Sequence, residues 1–232
     1  RRQRQMCIRD RVWTWGYNGY GQLGVGDKTN RYKPTKINIE NVVDISAGYN
    51  HTLLVTKDGK IYSFGSNSYG QLGRSENTLL PKEIPNLENI EKVSAGAYHS
   101  MAIGKDGSVY TWGYNGNGQL GNGTTTSNSE PSKIRLTNIT KIESGEQIST
   151  AIDGDGNLYA WGYNYYGQLG NETTTNVYLP RKVLTLENIV DVAAEKETII
   201  AVNKQGEVYA SGYNGYGNLG NNTKQNSTKF EK

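Results

Sequence analysis

The chain is 232 residues long, carries a formal net charge of +3, and is 34% hydrophobic with 29 Gly and 5 Pro. This length allows one large all-β domain, and the regular spacing of the apolar residues excludes a disordered chain. No apolar run approaches the roughly 20 residues that span a bilayer, and no signal-peptide pattern opens the sequence. We expect no membrane partner, and the compartment stays open between secreted, cell-surface and cytoplasmic.

The first eleven residues, 1–11, differ from everything that follows. They hold five Arg, one Asp and Cys7, the only cysteine. We expect this head to be a translated adapter artefact or disordered, and dispensable for stability, with a basic tail as the alternative. Without it Lys+Arg falls from 25 to 20 and Asp+Glu from 22 to 21, so the net charge changes from +3 to −1. We therefore expect no nucleic-acid partner, and no disulfide or thiolate zinc site in the remainder.

A ten-residue motif, Trp-Gly-Tyr-Asn-x-x-Gly-Gln-Leu-Gly, recurs five times in variant forms. The steps between its first glycines are 49, 48, 49 and 50 residues. Self-similarity at such a period indicates a solenoid or a propeller. We divide the chain into the head and a repeat domain, 12–232, with units of about 17–65, 66–113, 114–162 and 163–212 and a partial unit, 213–232.

The first complete unit predicts four short strands, at 34–37, 42–47, 52–56 and 61–64. The first strand opens with Pro34, where no ladder donor is needed. Asp58-Gly59 is a hairpin turn between the last two strands, because Gly accepts the positive φ that such turns demand. Residues 12–15 align with the last strand of one blade and residues 227–230 with the first strand of another. We therefore expect the chain to be cut at both ends.

The signature Ala-Gly-x-x-His, followed by Asp-Gly-x-x-Tyr-x-Trp-Gly-x-Asn-x-x-Gly-Gln-Leu-Gly, resembles the regulator of chromosome condensation family, which includes a propeller-type β-lactamase inhibitor protein. The resemblance covers residues 12–230. It implies an all-β fold, a β-propeller of four-stranded antiparallel blades with about four complete blades. Because members usually close a ring of seven blades, it implies a fragment of such a ring. Uncovered faces of the end blades, with Val12, Trp15, Val208 and Leu219, predict self-association.

The recurring glycines resemble a phosphate-binding loop, but no Lys-Ser/Thr follows them. A feature of every unit is better explained by a chain reversal that every unit needs. The two histidines occupy one repeat position and could ligate a metal, but Ile148 and Thr198 stand there in the other units. We interpret both sets as structural, and expect no metal and no cofactor. The structural residues are Gly16, Gly24, Gly65, Gly73, Gly113, Gly121, Gly162, Gly170, Gly212, Gly220, His51 and His99.

Tyrosine is in excess, with 17 Tyr against 2 Phe. Strand parity places the Gly-rich loops and the Ala-Gly turns on one face, and Tyr suits binding surfaces. The tyrosines in register between units, Tyr20, Tyr69, Tyr166 and Tyr216, are expected to pack between blades. In the later units charged residues replace the Ala-Gly-x-x-His pattern, either for specificity or by decay of the repeat. The candidate partner-binding residues are Tyr49, Tyr98, Tyr163, Tyr165, Tyr213, Glu146, Glu195, Lys196 and Glu197.

No acid pair, nucleophile–base set or cofactor motif is present, so we expect no enzymatic activity. The sequence favours a propeller scaffold that binds a protein partner through its Tyr/Asn/Gly-rich face. One alternative, implied by the resemblance, is nucleotide exchange on a small GTPase; in the family it depends on a wedge-like insertion, and units of 48–50 residues leave no room for one. The other is a glycan- or cell-wall-binding module. Abundant Asn, Lys, Ile and Tyr, with four Arg beyond the head, favour a bacterial source.

Overall fold

The computed structural model describes residues 4–8, as backbone, and 11–232. Within these residues all regular structure is β-strand, arranged in five antiparallel sheets. The first sheet contains β1 (Arg4–Ile8), β2 (Arg11–Gly16) and β3 (Arg31–Lys36), and the second contains β4 (Val42–Ala47), β5 (His51–Thr56), β6 (Ile61–Gly65) and β7 (Thr78–Glu83). The third contains β8 (Ile90–Ala95), β9 (His99–Gly104), β10 (Val109–Gly113) and β11 (Asn128–Lys133). The fourth contains β12 (Ile139–Ser144), β13 (Ile148–Asp153), β14 (Leu158–Gly162) and β15 (Val177–Lys182), and the fifth contains β16 (Ile189–Ala194), β17 (Thr198–Asn203), β18 (Val208–Gly212) and β19 (Ser227–Glu231).

The chain folds into two compact units. The first unit runs up to Tyr114 and includes Ser127–Lys133, so it holds the first three sheets. The second unit comprises Asn115–Thr126 and Ile134–Lys232, and holds the fourth and fifth sheets. In every sheet the strands are bonded in chain order, as in a propeller blade. The expected fold class, all-β with four-stranded antiparallel blades, is confirmed.

The strand that carries proline belongs to the blade before it, which corrects the grouping expected from the sequence. Strand β3, with Pro34, pairs with β2 rather than with β4, and β19 completes the fifth sheet instead of opening a new one. The reason is the long Gly-rich loop, which turns the chain back onto the open edge of the strand that it leaves. Pro34 then lies in an edge strand, where a missing N–H disrupts no ladder.

Part of the head is also ordered, contrary to expectation. Residues 4–8 form β1, which pairs with β2 in continuous register from Arg4↔Trp15 to Ile8↔Arg11. The edge of β2 offers unpaired backbone groups, and an extended segment adds to such an edge whatever its side chains. Residues 1–3 and 9–10 of the head lie outside the described residues.

The core lies between neighbouring sheets of each unit. In the second, third and fourth sheets the second strand is the most enclosed, and every residue of β5, β9 and β13 is buried. In the first unit Leu53 and Ile61 pack with Trp112 of the following sheet. In the second unit Ile148 and Leu158 pack with inner-strand residues of the fifth sheet. This packing on both faces explains the strands' continuous apolar runs.

The blade faces that were expected to be uncovered differ in exposure between the first and the last sheet. Val12 is fully buried against Ile37 and Phe64, so the expectation of an uncovered face fails there. Leu219 is also buried, whereas Val208 on β18 is 54% exposed. No helix among the described residues has the length and apolar character to cross a bilayer.

Candidate functional site

Each Gly-rich loop is closed by one asparagine amide. In the second unit Asn164 is fully buried, and its Nδ2 donates to the carbonyls of Thr173 and Thr175 at 3.0 and 3.1 Å. Its Oδ1 accepts from the backbone N–H of Leu169 at 2.9 Å. The equivalent bond is present in the other four loops. There the asparagine Oδ1 accepts from the backbone N–H of Leu23, Leu72, Leu120 or Leu219. The loop is therefore a rigid platform that its own side chains hold together.

Most of the motif glycines lie where a side chain would collide with backbone or an aromatic ring, whereas a Cβ at Gly220 would meet no other atom within 4 Å. Gly162 has a φ of 104°, and a Cβ there would lie 2.5 Å from the carbonyl oxygen of Gln147. Gly121 has a φ of 66°, and its Cβ would lie 2.7 Å from Nε1 of Trp161. The geometries of Gly162 and Gly121 belong to chain reversal and close packing.

The backbone carbonyl of the motif glutamine joins neighbouring blades within a unit. In the first unit the carbonyl of Gln71 accepts from Ser100 Oγ at 2.8 Å and from Trp112 Nε1 at 2.9 Å. Gln119 receives the equivalent pair from Ser149 and Trp161. In the fifth sheet serine stands in the tryptophan position, and Ser211 Oγ donates to Gln168 at 2.7 Å.

The two histidines are buried side chains of this framework. Both are fully buried, and burial lowers the pKa of each to about 3, with His99 adding to the effect on His51. A neutral, buried imidazole bonded to a serine serves packing between blades. Among the described residues no group of three or more His, Cys, Asp or Glu is placed to hold a metal ion.

Four tyrosines of the first unit form one group, here the first tyrosine cluster: Tyr49, Tyr69, Tyr98 and Tyr114. The ring centroids of Tyr69 lie 5.2 Å from Tyr98 and 5.0 Å from Tyr114, and Tyr49 lies 5.9 Å from Tyr98. The rings meet edge to face or tilted, which is the favoured geometry for aromatic pairs. Tyr49 is 51% exposed.

Five tyrosines of the second unit form the second tyrosine cluster: Tyr163, Tyr165, Tyr166, Tyr213 and Tyr216. Tyr163 and Tyr165 are stacked at 6.4 Å, and Tyr165, Tyr166 and Tyr213 continue edge to face at 5.1 Å for each step. Tyr165 is 66% exposed and Tyr216 is 88% exposed.

The tyrosines in register are more exposed than expected, although Tyr69 and Tyr166 do contact rings of the next blade. Tyr20, Tyr69 and Tyr216 are exposed, and Tyr166 is half-buried. The glutamine two residues later is buried instead. In the second blade Gln71 Oε1 accepts a hydrogen bond from the backbone N–H of Tyr69 at 2.9 Å. The same bond links Tyr20 to Gln22 and Tyr166 to Gln168. With the amide buried, the ring projects from the surface.

The candidate charged residues lie on two adjoining turns of the second unit. Glu146 is half-buried, and its Oε2 lies 4.0 Å from Nζ of Lys196, whose side chain is exposed. Glu195 is exposed and Glu197 is half-buried. A Cβ on Gly145 would lie 2.5 Å from the carbonyl oxygen of Glu195, so the two turns are in contact.

One acidic residue beside these turns was missed in the sequence. Glu143 on β12 is half-buried, and burial raises its pKa to about 7; Asp191 and Glu195 add to the effect and Lys141 opposes it. Lys141 is ion-paired with Asp191 on the next inner strand. The sequence signal that could have identified Glu143 was its position in the repeat. The equivalent residues of two earlier blades are serines, Ser46 and Ser94.

The hairpin acids make local bonds. Asp58 Oδ1 accepts from Thr56 Oγ1 at 2.6 Å, and this bond lowers the pKa of Asp58. Asp106 likewise accepts from Ser108. These bonds shape the hairpin turns.

A family model described as the RCC1-like domain matches residues 4–147. Models of the regulator of chromosome condensation (RCC1) repeat match residues 139–168 and 155–198. Two similar curated proteins are the RCC2 homolog of Danio rerio, 36% identical over 72 residues, and alsin of Rattus norvegicus, 37% identical over 72 residues. These matches cover 29% and 30% of this chain, and 14% and 4% of those proteins.

Solved structures give the same fold. Yeast RCC1 (Prp20), crystallised with Kap60, superposes with a TM-score of 0.89 at 22% identity over 98% of this chain and 58% of its own. Human WBSCR16 superposes with a TM-score of 0.87 at 24% identity over 99% of this chain and 64% of its own. The chain thus spans about three fifths of these structures. Because the domain model matches more than half of the sequence, the chain belongs to the RCC1-like domain family, and its blades are those of an RCC1-type β-propeller.

Proposed function

We propose that this chain is a non-enzymatic scaffold that binds a protein partner through its two tyrosine clusters. RCC1-type propellers are generally a binding or regulatory fold, not a catalytic one. One structural neighbour, Prp20p of Saccharomyces cerevisiae, was described together with its binding to Gsp1p and histones. A protein partner is therefore the class that the family favours.

The exposure of the clustered tyrosines carries the proposal. Tyr49 and Tyr165 present most of their rings to solvent, yet each packs against other rings on a closed loop or turn. Tyr and Trp are enriched among residues that dominate binding energy, because they offer large apolar area with few rotatable bonds. Side chains that are already packed together lose little freedom on binding.

Site-specific photo-crosslinking tests the proposal. A benzophenone amino acid is placed at Tyr165, and in a matched variant at Leu184, which is 83% exposed on the loop before β16. After irradiation in an extract of the source cells we expect a discrete protein adduct from position 165 and none from position 184. Identical adducts from both positions, or none from 165, would contradict the proposal.

Nucleotide exchange on a small GTPase is the alternative function within this family. A fluorescent GDP analogue bound to a Ran-type GTPase would be released faster on addition of the chain if exchange were its activity. We expect no acceleration, because the units of 48–50 residues leave no room for a wedge-like insertion. Soluble cell-wall polysaccharide serves as a competitor in the crosslinking reaction. Loss of the position 165 adduct in its presence would favour glycan recognition instead.

A further inference from the structure

We infer that the second tyrosine cluster receives a cationic side chain, a lysine or arginine from a basic segment of the protein partner. The inference rests on the proposed function and specifies the chemistry of its partner. It depends on the combination of rings and carboxylates in the second unit, which the first unit lacks.

Two carboxylates, those of Glu146 and Glu197, act electrostatically on Tyr163, a half-buried member of the cluster. Burial raises the pKa of Tyr163, and the neighbouring Tyr166, Glu197, Tyr165 and Glu146 each raise it further. The phenol therefore lies in the negative field of two carboxylates, and its ring is stacked on that of Tyr165. A site with this electrostatic character attracts a positive charge.

Backbone bonds hold the turns and the rings together. Tyr163 N donates to the carbonyl of Gln147 at 3.0 Å, and Tyr213 N donates to the carbonyl of Glu197 at 2.8 Å. Gln168 Nε2 also donates to the carbonyl of Lys196 at 3.2 Å. Each turn is thus bonded to the loop that carries the tyrosines, so the rings and carboxylates are presented as one preformed surface.

Both halves of this surface suit an ammonium or guanidinium group. Carboxylates pair with such groups, and a tyrosine face attracts a cation by its quadrupole. The two turns carry Glu146, Glu195 and Glu197 against one lysine, Lys196, a local excess of negative charge. Lys196 itself places an ammonium 4.0 Å from Glu146, so the surface already accommodates a cation.

The first tyrosine cluster provides an internal comparison. At the equivalent turn positions it has Tyr49 and Asn50 in one blade and Ala97 and Tyr98 in the next, none of them charged. The scaffold is the same, since Tyr114 N donates to the carbonyl of Tyr98 at 2.9 Å. Rings without carboxylates should bind a cation more weakly. The chain's net charge of +3 also works against general attraction of cations.

Fluorescence anisotropy with two labelled synthetic peptides tests the inference on the full chain. One peptide holds four Arg-Gly repeats and the other four Glu-Gly repeats. We expect saturable binding of the arginine peptide and none of the glutamate peptide. Glu197→Gln and Glu146→Gln together should weaken binding about fivefold. Tyr165→Ala should weaken it about two- to fivefold, whereas Tyr165→Phe, which keeps the ring, should bind like wild type.

Two matched variants act as controls. Glu187→Gln removes the same charge from an exposed residue before β16, at the opposite end of that strand from Glu195, and Tyr32→Ala removes a ring that is 91% exposed on β3, outside both clusters. Both should leave the affinity for the arginine peptide unchanged, and thermal melting should confirm that all variants are folded. Equal weakening by Glu187→Gln, or no binding of the arginine peptide, would overturn the inference. A protein adduct at position 165 without peptide binding would leave the proposed function standing; peptide binding without an adduct would overturn the proposed function and retain the cation site.

Discussion

His51 on β5 donates from Nε2 to Oγ of Ser100 on β9, across a heavy-atom distance of 3.0 Å. The direction follows from the next bond, because the single hydroxyl proton of Ser100 goes to the carbonyl of Gln71 at 2.8 Å. Ser100 can then only accept from the imidazole, which fixes the tautomer with hydrogen on Nε2. This buried chain of bonds links two blades of the first unit.

Replacing Ser100 by alanine should destabilise the protein by about 1–3 kcal/mol, since both the acceptor of His51 and the donor to Gln71 are removed from a buried place. Urea unfolding of Ser100→Ala against wild type measures the loss. Ser75→Ala, an exposed serine of the same unit, should change the free energy of unfolding by less than about 0.5 kcal/mol. Equal effects of the two variants would contradict the interpretation.

The two histidines should make the fold sensitive to acid. Their pKa values are lowered to about 3 in the folded chain, whereas an unfolded histidine titrates near 6.5. The unfolded state therefore binds more protons between these values, and the stability that is complete above pH 6.5 is lost as the pH falls toward 3. Melting temperatures of wild type and a His51→Gln, His99→Gln variant between pH 7.5 and 4.5 test this. The variant should be less stable at pH 7.5 but show a shallower acid slope; an unchanged slope would exclude the histidines as its cause.

Glu143 should act in the opposite direction. Its folded pKa of about 7 lies above its ordinary value of 4.5, so the folded state binds more protons between these values. The contribution of Glu143 to the free energy of unfolding therefore falls as the pH rises from 4.5 to 7. Above pH 7 the side chain is ionised in the folded state, and its full destabilising effect is present. Glu143→Gln should raise the melting temperature at pH 8 and have little effect at pH 4.5. Glu187→Gln, an exposed control, should be neutral at both values. A Glu143→Gln effect that does not vary with pH would contradict this sign.

Removal of one loop-closing amide should be costly. Asn164→Ala deletes the buried donor to Thr173 and Thr175 and the acceptor of Leu169. We expect a loss of about 2–4 kcal/mol, because several buried backbone groups lose their partners together. Thr174→Ala, an exposed change in the same loop, is the control and should be near neutral. Chemical denaturation of both variants makes the comparison, and a small loss for Asn164→Ala would mean that the loop closes without the amide.

Self-association is the remaining expectation from the sequence. On the fifth sheet Ile200 is 41% exposed and Val208 is 54% exposed. We expect weak, concentration-dependent association that Val208→Lys reduces, because a charge opposes burial of that face. Sedimentation velocity over a hundredfold range of concentration measures it. A monomer throughout the range would contradict the prediction.

The repeat pattern predicted most strands of the blades, although β1 was not predicted and the strand expected at 34–37 is β3 (Arg31–Lys36). The predicted strand at 42–47 matches β4 (Val42–Ala47), and that at 61–64 lies within β6 (Ile61–Gly65). Pairing could not be predicted in the same way, because a periodic sequence does not mark where one blade ends. Whether β3 joins β2 or β4 depends on a loop that is closed by bonds such as that from Leu23 N to Asn18 Oδ1.

The surface was predictable in outline only. The sequence placed Tyr165 and Tyr49 on an exposed face, and both are exposed. It could not decide between Tyr69 and Gln71, which lie two residues apart and therefore compete for one buried place. The raised pKa of Glu143 could not be predicted for another reason. Its neighbour Asp191 is 48 residues away along the chain, and the two carboxylates meet only when β16 packs beside β12.

The backbone bonds of the turns have a consequence for protein engineering. The carbonyls of Asn50, Tyr98, Gln147 and Glu197 all accept from the strand-to-loop junction of their own blade, although their four side chains differ in size and charge. The backbone geometry of each turn is thus independent of the side chain at this position. Randomising the outward positions of these turns, with the buried Ala97 and every motif Asn and Gln kept, would yield a library of binders whose specificity varies on a constant frame.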